Sequence, residues 1–310
     1  MEKKATRDAY GQALADLGAE IENLFVLDAD LAKATKTIMF KKKYPERFID
    51  CGISEANMMG TAAGLVTCGN VVFASSFAMF AAGRAFEQVR NSIAYPKLNV
   101  KIGATHGGIS VGEDGASHQC CEDIALMRVL PGMTVINPAD YWEAYHATKA
   151  AAKMNGPVYL RFGRLAVPML KDKSYDFQIG KGDLIFDGTD ATVIATGLLT
   201  GEAVTACEAL RQEGISVRLI NMHTIKPLDE EIVIRAAQET GLIITAEEHS
   251  VIGGLGSAVC EVLAERCPVP VIRIGVRDVF GQSGPAAELL VHYGLTSANI
   301  VETVKANLKR

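Results

Sequence analysis

Residues Val71–Gln119 read VVFASSFAMFAAGRAFEQVRNSIAYPKLNVKIGATHGGISVGEDGASHQ. An apolar run at Val71–Ala74 predicts a strand, the stretch Ala78–Ala94 predicts a helix, and the β-branched run Val100–Ala104 predicts a second strand. Strand–helix–strand alternation is typical of a crossover between parallel strands. Both strands are almost continuously apolar, as expected when helices cover the two faces of a sheet. The segment therefore predicts an α/β unit whose second strand leads into a polar loop, residues 105–119.

The same alternation extends in both directions along the 310-residue chain. Before residue 164, the predicted strands are Leu24–Leu27, Val71–Ala74, Val100–Ala104, Thr134–Ile136 and Val158–Arg161. The predicted helices of this part are Arg7–Leu17, Glu55–Cys68, Ala78–Ala94, Glu122–Val129 and Trp142–Met154. Turn residues cluster between 164 and 190, where two short alternating runs predict a linker plus a small hairpin.

The alternation resumes at residue 191 with a spacing of about 25 residues per βα unit. The predicted strands are Ala191–Ala195, Val217–Ile220, Leu242–Ala246 and Val271–Ile274, and the predicted helices are Glu202–Arg211, Asp229–Gln238 and Gly256–Ala264. We therefore predict two parallel-sheet, three-layer α/β domains, residues 1–168 and 191–310, joined by a linker and hairpin at 169–190.

Composition excludes several classes of function. The net charge is −5, from 31 basic and 36 acidic residues, whereas a nucleic-acid binder usually carries a basic domain or stripe. The longest uncharged apolar run spans 13 residues, Val71–Gly83, and a membrane span needs about 20. Seven cysteines without a C-x-x-C pair are typical of reduced thiols, and the N-terminus lacks the apolar core of a signal peptide. We expect a cytoplasmic protein with neither nucleic acid nor membrane as partner.

The loop 105–119 carries the densest polar chemistry of the chain. It holds His106, Asp114 and His118 among four glycines, directly after a predicted strand. Ligands of open α/β sheets bind beyond the carboxyl ends of strands, and histidines exchange protons near neutral pH. The alternative is a solvated loop with incidental histidines. The loop is therefore a candidate site for proton transfer on hydroxyl or carbonyl groups.

Three further candidates have structural alternatives of their own. Glu55 follows Ser54, a good N-cap, so it could act only as a helix-start carboxylate. Phe77 and Phe80 stand three apart after a strand and could be core residues or a stacking platform. Arg161 and Arg164 could bind a phosphate or pair with surface carboxylates. Neither a P-loop nor a complete dinucleotide-binding glycine pattern occurs.

Taken together and in order, these segments resemble the C-terminal half of a transketolase over nearly the whole chain. CGISEANM, with Glu55, is similar to the segment whose glutamate contacts the aminopyrimidine of thiamine diphosphate. SFAMF, with Phe77 and Phe80, is similar to the aromatic cofactor platform. The loop from His106 to Gln119 is similar to the substrate loop, and IKPLD at 225–229 and EEH at 247–249 resemble the C-terminal domain.

The resemblance implies a thiamine-diphosphate pyrimidine-binding domain followed by a transketolase-type C-terminal domain. It also implies a partner, because the family's diphosphate-binding motif, G-D-G followed by an asparagine pair, is not found here. The expected partner is a complementary N-terminal transketolase subunit that holds Mg²⁺ or Ca²⁺, in an α2β2 assembly with two copies of each subunit. No metal ligands are assigned to this chain. One departure is Gly83, which stands where many relatives have a tyrosine.

Residue roles follow from the same resemblance. Glu55 would share a proton with the aminopyrimidine in a dry site, and Phe77 and Phe80 would pack on that ring. His106 and His118 would move protons on the sugar, and Asp114 would recognise a sugar hydroxyl. Two residues are assigned to the sugar's phosphate or other anionic end: Arg164, and as a second candidate Thr35.

The implied reaction transfers a two-carbon ketol unit from a ketose to an aldose. The nearest alternative is another thiamine-diphosphate enzyme half, such as a 2-oxo acid dehydrogenase β subunit or a 1-deoxyxylulose-5-phosphate synthase. The text GEDGASHQ at 112–119 favours transketolase. A non-catalytic scaffold subunit is an alternative of a different class.

Overall fold

The computed structural model describes residues 2–308, which form two large sheets flanked by helices and one small two-stranded sheet. The strands are β1 Lys3–Ala5, β2 Leu24–Asp28, β3 Phe48–Asp50, β4 Val71–Phe77, β5 Val100–Thr105, β6 Thr134–Ile136, β7 Val158–Arg161, β8 Ala166–Pro168, β9 Asp183–Phe186, β10 Ala191–Ala195, β11 Val217–Asn221, β12 Thr224–Lys226, β13 Ile243–Ser250 and β14 Val271–Val276. The α-helices are α1 Thr6–Glu20, α2 Ala32–Thr35, α3 Ile38–Lys43, α4 Glu55–Thr67, α5 Phe86–Gln88, α6 Asp123–Arg128, α7 Tyr141–Lys153, α8 Leu198–Gln212, α9 Glu230–Thr240, α10 Leu255–Arg266, α11 Ala286–His292 and α12 Ser297–Asn307.

The first sheet has seven strands in the order β12-β6-β7-β5-β4-β2-β3. All neighbours are parallel except the edge strand β12, which pairs antiparallel with β6. Its side chains alternate between two apolar clusters: Val72 and Ala74 of β4 pack in one, and Phe73 packs in the other. Burial on both faces accounts for the continuous apolar runs in the sequence.

The second sheet has five strands in the order β14-β13-β10-β11-β9. Three of its four pairings are parallel, and the edge strand β9 joins β11 antiparallel. Val193 and Ile194 of β10 lie in two different apolar clusters, so this sheet is also covered on both faces. The predicted architecture of two α/β units built on largely parallel sheets is confirmed.

The hairpin predicted between residues 169 and 190 is not formed. β8 pairs antiparallel with β1 at the N-terminus, and β9 pairs with β11 of the second sheet. Two short alternating runs signal strands but not their partners, so the prediction paired each run with the wrong neighbour. Strand β12 also crosses between the halves, because it follows β11 in sequence and pairs with the first sheet.

The predicted helix Ala78–Ala94 is present as three joined segments rather than one α-helix. Two π-helical segments, Met79–Arg84 and Val89–Ala94, flank the short α5. π-Helical turns are rare and frequently lie at functional sites. Within residues 2–308, no helix is both long and apolar enough to cross a membrane.

Candidate active site

The candidate site lies at the carboxyl ends of the adjacent strands β4 and β5. Phe77, the last residue of β4, is in register with Thr105, the last residue of β5. The residue after Thr105 is His106, so the strand ends bring the Phe77 ring against the His106 ring, with centroids 3.8 Å apart. This is the edge of a parallel sheet where ligands bind in open α/β folds.

Four rings from two sequence segments form one cluster. Phe77 and Phe80 are stacked with centroids 5.9 Å apart, three residues along the turn that follows β4. His118 presents its edge to both of them, at 5.3 Å from Phe80 and 6.5 Å from Phe77. The structure therefore brings together the predicted platform residues and both predicted histidines.

His106 is buried and its protonation state is set by its partners. Arginine can only donate, so Nε2 of His106 accepts from Arg7 Nη1 at 3.2 Å. Its Nδ1 therefore carries the proton and donates to the Thr105 hydroxyl at 2.9 Å. Burial, followed by the charges of Arg7 and Arg164, lowers the pKa of His106 to about 3. The ring is neutral at physiological pH, and its one acceptor nitrogen, Nε2, faces Arg7.

Several cationic groups face His106. Besides Arg7 and Arg164, His118 and Lys36 also contribute to the lowered pKa of His106. Arg7 Nε is buried and has no hydrogen-bond partner within residues 2–308. A buried guanidinium N–H without an acceptor costs free energy, so this group is available to an anionic ligand.

Arg7 and Lys36 were not among the residues predicted from sequence. Arg7 lies near the start of the predicted first helix and Lys36 lies in a segment without strong periodicity, so neither stood in a recognisable motif. Their placement depends on the docking of α1 and α2 against the sheet. Arg164, a residue predicted from the sequence, donates to the carbonyl of Val111 and to Glu113, the latter at 3.0 Å. It therefore lies against the loop and is half-buried.

Glu55 begins helix α4 and its side chain is buried, with 1% exposed. Its two carboxylate oxygens accept from Arg84 Nη1 at 3.1 and 2.9 Å. Ser54 occupies the N-cap position, but its side chain makes no capping hydrogen bond. The predicted cap is therefore absent, and Glu55 is instead held by an ion pair with the π-helical segment.

Arg84 connects Glu55 to the aromatic platform. Its guanidinium carbon lies 4.5 Å from the centroid of the Phe80 ring, a cation–π distance. A planar group with N–H donors thus lies between the Glu55 carboxylate and the Phe80 face. Gly83, the departure noted in the sequence, precedes Arg84, and a Cβ there would first meet the methyl end of Met79 at 2.3 Å.

Two predicted residues are not placed with the others. The Thr35 hydroxyl is fully buried and donates to Asp28 Oδ2 at 2.7 Å. Its proton is therefore used in an internal network, and its assignment to the anionic end of the sugar stays a prediction. Asp114 is exposed at the end of the 3-10 turn Ile109–Asp114, and no contact within residues 2–308 joins its carboxylate to the ring cluster.

Arg161 resolves an alternative left open by the sequence. It is buried, with 2% exposed, and its Nε donates to Asp123 Oδ2 at 2.8 Å. Its Nη2 donates to the backbone carbonyls of Cys120 and Glu248 at 3.2 and 2.9 Å. Its Nε and Nη2 are therefore used inside the protein, and its burial favours an internal link below the loop over a phosphate site.

One cluster away from the rings has the composition of a metal site. Ligand atoms of Glu143, Asp183 and His223 lie within 4.8 Å of one another. However, Asp183 Oδ2 already accepts from the Tyr175 hydroxyl at 2.5 Å and lies 3.0 Å from Lys171 Nζ. The ammonium supplies the positive charge that a metal would, so the cluster is a hydrogen-bonded contact between α7 and the second sheet.

Two family models match the chain in the order seen in the fold. The pyrimidine-binding domain of transketolase matches residues 2–169, and the C-terminal domain of transketolase matches residues 180–300. The chain belongs to the transketolase family. This family depends on thiamine diphosphate.

Relatives of similar length include subunits of split enzymes. The chain is 51% identical, over 99% of its length and 97% of the relative's, to a protein of Methanocaldococcus jannaschii described as a transketolase C-terminal section. It is 42% identical to a 6-deoxy-6-sulfo-D-fructose transketolase subunit of Clostridium sp. strain MSTE9, covering 97% of this chain and 94% of that one. These relatives favour a transketolase subunit over the alternatives raised from the sequence.

Structural and length comparisons agree with this. The inactive beta4 tetramer of a split-gene transketolase superposes with a TM-score of 0.91 at 51% identity, covering 100% of both chains. Human transketolase is 37% identical over 98% of this chain, which spans only 49% of the human protein. This transketolase-family chain therefore corresponds to the second half of the full-length enzyme.

The residues present fit the aminopyrimidine of thiamine diphosphate. The Arg84 guanidinium shows that a planar group with N–H donors can contact the Glu55 carboxylate and the Phe80 face together. An aminopyrimidine ring has the same two properties. Glu55 and Phe80 would hold it, next to the stacked Phe77 ring.

Proposed function

We propose that this chain is the pyrimidine-binding subunit of a two-subunit, thiamine-diphosphate-dependent transketolase. The proposed reaction moves a two-carbon ketol unit from a ketose to an aldose. The observation that carries it is the cluster of two stacked phenyl rings and two histidines at the ends of β4 and β5, to which Arg84 links the buried Glu55 carboxylate. A scaffold subunit has no need of this arrangement.

Glu55 is proposed to act on the cofactor ring. When bound, the cofactor supplies a nucleophilic carbon and an electron sink. Glu55 holds or releases a proton at a ring nitrogen, and its burial excludes water from that exchange. Arg84 contacts both oxygens of Glu55. At least one of these two hydrogen bonds must therefore break before the aminopyrimidine ring can bind to Glu55.

The histidines are proposed to move protons on the sugar. His106 has a neutral ring whose Nε2 is an acceptor, so it can accept a hydrogen bond from a sugar hydroxyl, and an anionic substrate beside Arg7 and Arg164 would make it a stronger base. His118 lies across the same rings and is partly exposed. Asp114 is proposed to bind a sugar hydroxyl, which requires the exposed loop end to close on the substrate.

The substrate's far end is proposed to be anionic. Arg7 has an unpartnered N–H, and Arg164 and Lys36 lie close enough to act on His106. Guanidinium groups bind phosphate and sulfonate oxygens by charge-assisted hydrogen bonds. The sulfo-sugar named for the Clostridium relative is one example of such an anion.

The partner is proposed to be an N-terminal transketolase subunit that binds the diphosphate through Mg²⁺ or Ca²⁺, with two copies of each subunit in the assembly. The half-length match to human transketolase supports this. All seven cysteines are free thiols, which supports a cytoplasmic location. We also propose domain limits at 1–168 and 191–310, with residues 169–190 as a connecting segment.

Mixing the two subunits tests the proposal. The purified chain, supplied with thiamine diphosphate and magnesium, is expected to transfer no ketol unit from ketose phosphates or sulfonates. Addition of the N-terminal transketolase subunit from the same organism should produce transfer. Pyruvate in place of the ketose separates the alternatives. Turnover of pyruvate, but not of the ketose, would indicate a synthase or dehydrogenase half. Full activity of the chain by itself would refute the two-subunit proposal.

A further inference from the structure

Two consecutive carboxylates of β13 serve different parts of the molecule. Glu247 and Glu248 are both buried, with 0% and 2% exposed. Successive side chains of a strand point to opposite faces. Glu247 accepts from the backbone N–H groups of Leu255 and Gly256 at 2.7 and 2.8 Å, at the start of α10. Glu248 instead reaches the other half of the chain.

Glu248 contacts the backbone of the loop that carries the two histidines. Its Oε1 accepts from the Ser110 N–H at 2.6 Å. Gly108, two residues earlier, has φ +91, and a Cβ built there would lie 2.4 Å from the Glu248 carboxyl carbon. The loop backbone therefore packs directly on the carboxylate, which leaves no room for a side chain at position 108.

A second contact from the C-terminal half lies on the far side of the same loop. Gln119 Nε2 is shared among the carbonyls of Ile109, Gly112 and Gln282, at 3.1, 3.2 and 2.9 Å. Gln282 belongs to the segment between β14 and α11. The loop is thus held to the C-terminal half near the start of its 3-10 turn, at Ser110, and at its last residue, Gln119.

The loop needs such support because its backbone is strained. His106 has φ +60, a left-handed conformation that non-glycine residues rarely adopt. Strained residues of this kind persist only where the surroundings fix them. The His106 ring stacks on Phe77 in this conformation, so relaxation of the loop would move the ring off the platform.

We propose that Glu248 is a positioning residue through which the C-terminal half fixes the loop 106–119 and thereby the two histidines. Glu248 contacts no ligand in this scheme and acts only through the Ser110 N–H and the Gly108 backbone. The consequence for catalysis rests on the proposed function, whereas the consequence for the loop does not.

Amide hydrogen–deuterium exchange of the purified chain tests the loop directly. Glu248→Met removes the acceptor and keeps the bulk, and should speed exchange across residues 107–119 about tenfold or more, as expected for loss of a hydrogen bond to a charged group. Glu248→Gln keeps an acceptor oxygen and should restore exchange close to wild type. The matched control Glu247→Met should change exchange at the start of α10 and leave the loop unchanged.

A second pair of variants approaches the contact from the loop and remains informative if Glu248→Met fails to fold. Gly108→Ala places a methyl against the Glu248 carboxylate and should also speed exchange in the loop. Its control is Gly132→Ala, at φ +75 with nothing within 4 Å, which places a β-carbon at a positive φ without the collision. The proposal would be overturned if the loop amides exchanged at the same rate in Gly108→Ala and Gly132→Ala. It would also be overturned if Glu248→Met left the exchange of the loop unchanged.

Activity of the assembled enzyme supplies a separate readout. Glu248→Met should raise KM for the ketose and lower kcat, leave the apparent affinity for thiamine diphosphate unchanged, and be rescued by Glu248→Gln. If the loop responds as expected but the wild-type assembly transfers no ketol unit, the proposed function fails and the positioning role stands. A Glu248→Met enzyme with wild-type kinetics and a mobile loop would refute the link to the histidines.

Discussion

The carboxyl ends of the two large sheets carry similar residues with different partners. At the first sheet, Glu55 and His106 are buried, yet their partners Arg84 and Arg7 are themselves partly or largely exposed. At the second sheet, the partners of Glu247, Glu248 and His249 are mainly buried backbone groups. Both ends have a buried carboxylate and a buried histidine, but only the first has partners that a ligand can replace.

The histidines show the difference most clearly. His249 Nδ1 donates to the Ser250 carbonyl at 2.8 Å, and its Nε2 accepts from the Ala125 N–H at 3.4 Å. Both nitrogens are therefore used by the backbone. His106 has one nitrogen on a side-chain hydroxyl and the other on an arginine. The availability of the partners, rather than residue type or burial, distinguishes a site from a structural contact.

The largest expected effect comes from replacing the buried glutamate at the end of the first sheet by glutamine. The same replacement at the second sheet is the control. In the assembled enzyme, Glu55→Gln should slow deuterium exchange at the thiazolium carbon of bound cofactor by about 10²–10⁴, the usual contribution of a positioned acid or base. Glutamine keeps the shape but cannot share a proton. The assay is NMR of the quenched cofactor and needs no knowledge of the sugar.

Glu247→Gln is the control for that measurement. It alters a buried carboxylate of the second sheet that holds only the start of α10. Exchange in this variant should match wild type at equal cofactor occupancy. If Glu55→Gln also exchanges at the wild-type rate, then Glu55 is a helix-start residue and its proposed role is wrong.

A smaller effect is expected from two arginines that contact different regions. Arg164→Ala should raise KM for an anionic sugar about 10- to 100-fold, through loss of a charge-assisted hydrogen bond worth about 1.5–3 kcal/mol. The neutral analogue of the same sugar should be much less affected. Steady-state kinetics with both sugars measures this difference.

Arg128→Ala provides the comparison. Arg128 ends helix α6 of the first half, donates to the Gly253 carbonyl at 2.7 Å and pairs with Glu261, both in the second half. Its removal should affect charged and neutral sugars alike, through stability alone. Equal losses for the two sugars in Arg164→Ala would assign Arg164 a purely structural role.

Much of the fold could be predicted because its signals are local. Strands such as Thr134–Ile136 and Val158–Arg161 agree with the sequence to the residue, since apolar runs bounded by turn residues are sufficient to place them. The pairing of β8 with β1 and of β9 with β11 depends on distant segments. No local pattern encodes those partners, and the predicted hairpin failed for that reason.

The candidate site shows the same limit. Phe77, Phe80, His106 and His118 lie in two recognisable segments whose strands are neighbours, so their meeting follows from the sheet. Arg84 contacts Glu55 from the π-helical turn after β4. A regular α-helix, as predicted from the sequence, would point the Arg84 side chain in another direction. Arg7 reaches His106 from α1, 99 residues away in sequence, and only the packed fold reveals that contact.

The smallest expected effect concerns the acid stability of the two regions. Burial, followed by nearby cations including Arg7, lowers the pKa of His106 to about 3, and burial lowers that of His249 to about 4. Both values lie below the pKa of about 6.5 expected in the unfolded chain. Each histidine therefore contributes stability that is present above pH 6.5 and is lost as the pH falls toward its folded value.

Inorganic phosphate should act on only one of these histidines. An anion beside Arg7 and Arg164 offsets the positive charges that disfavour protonated His106, so phosphate should raise the pKa of His106, by less than about one pH unit or 1.4 kcal/mol. Both ring nitrogens of His249 bond to backbone groups, and the cation near it, Arg161, is already paired with Asp123 at 2.8 Å. Ring ¹⁵N chemical shifts across pH, in phosphate and in chloride of equal ionic strength, separate the two residues. Phosphate should also make the chain more stable at pH 5 than chloride does, and Arg7→Met should abolish this gain. A pKa that rises equally for both histidines, or for neither, would contradict an anion site beside His106 and with it the distinction between the two sheet ends.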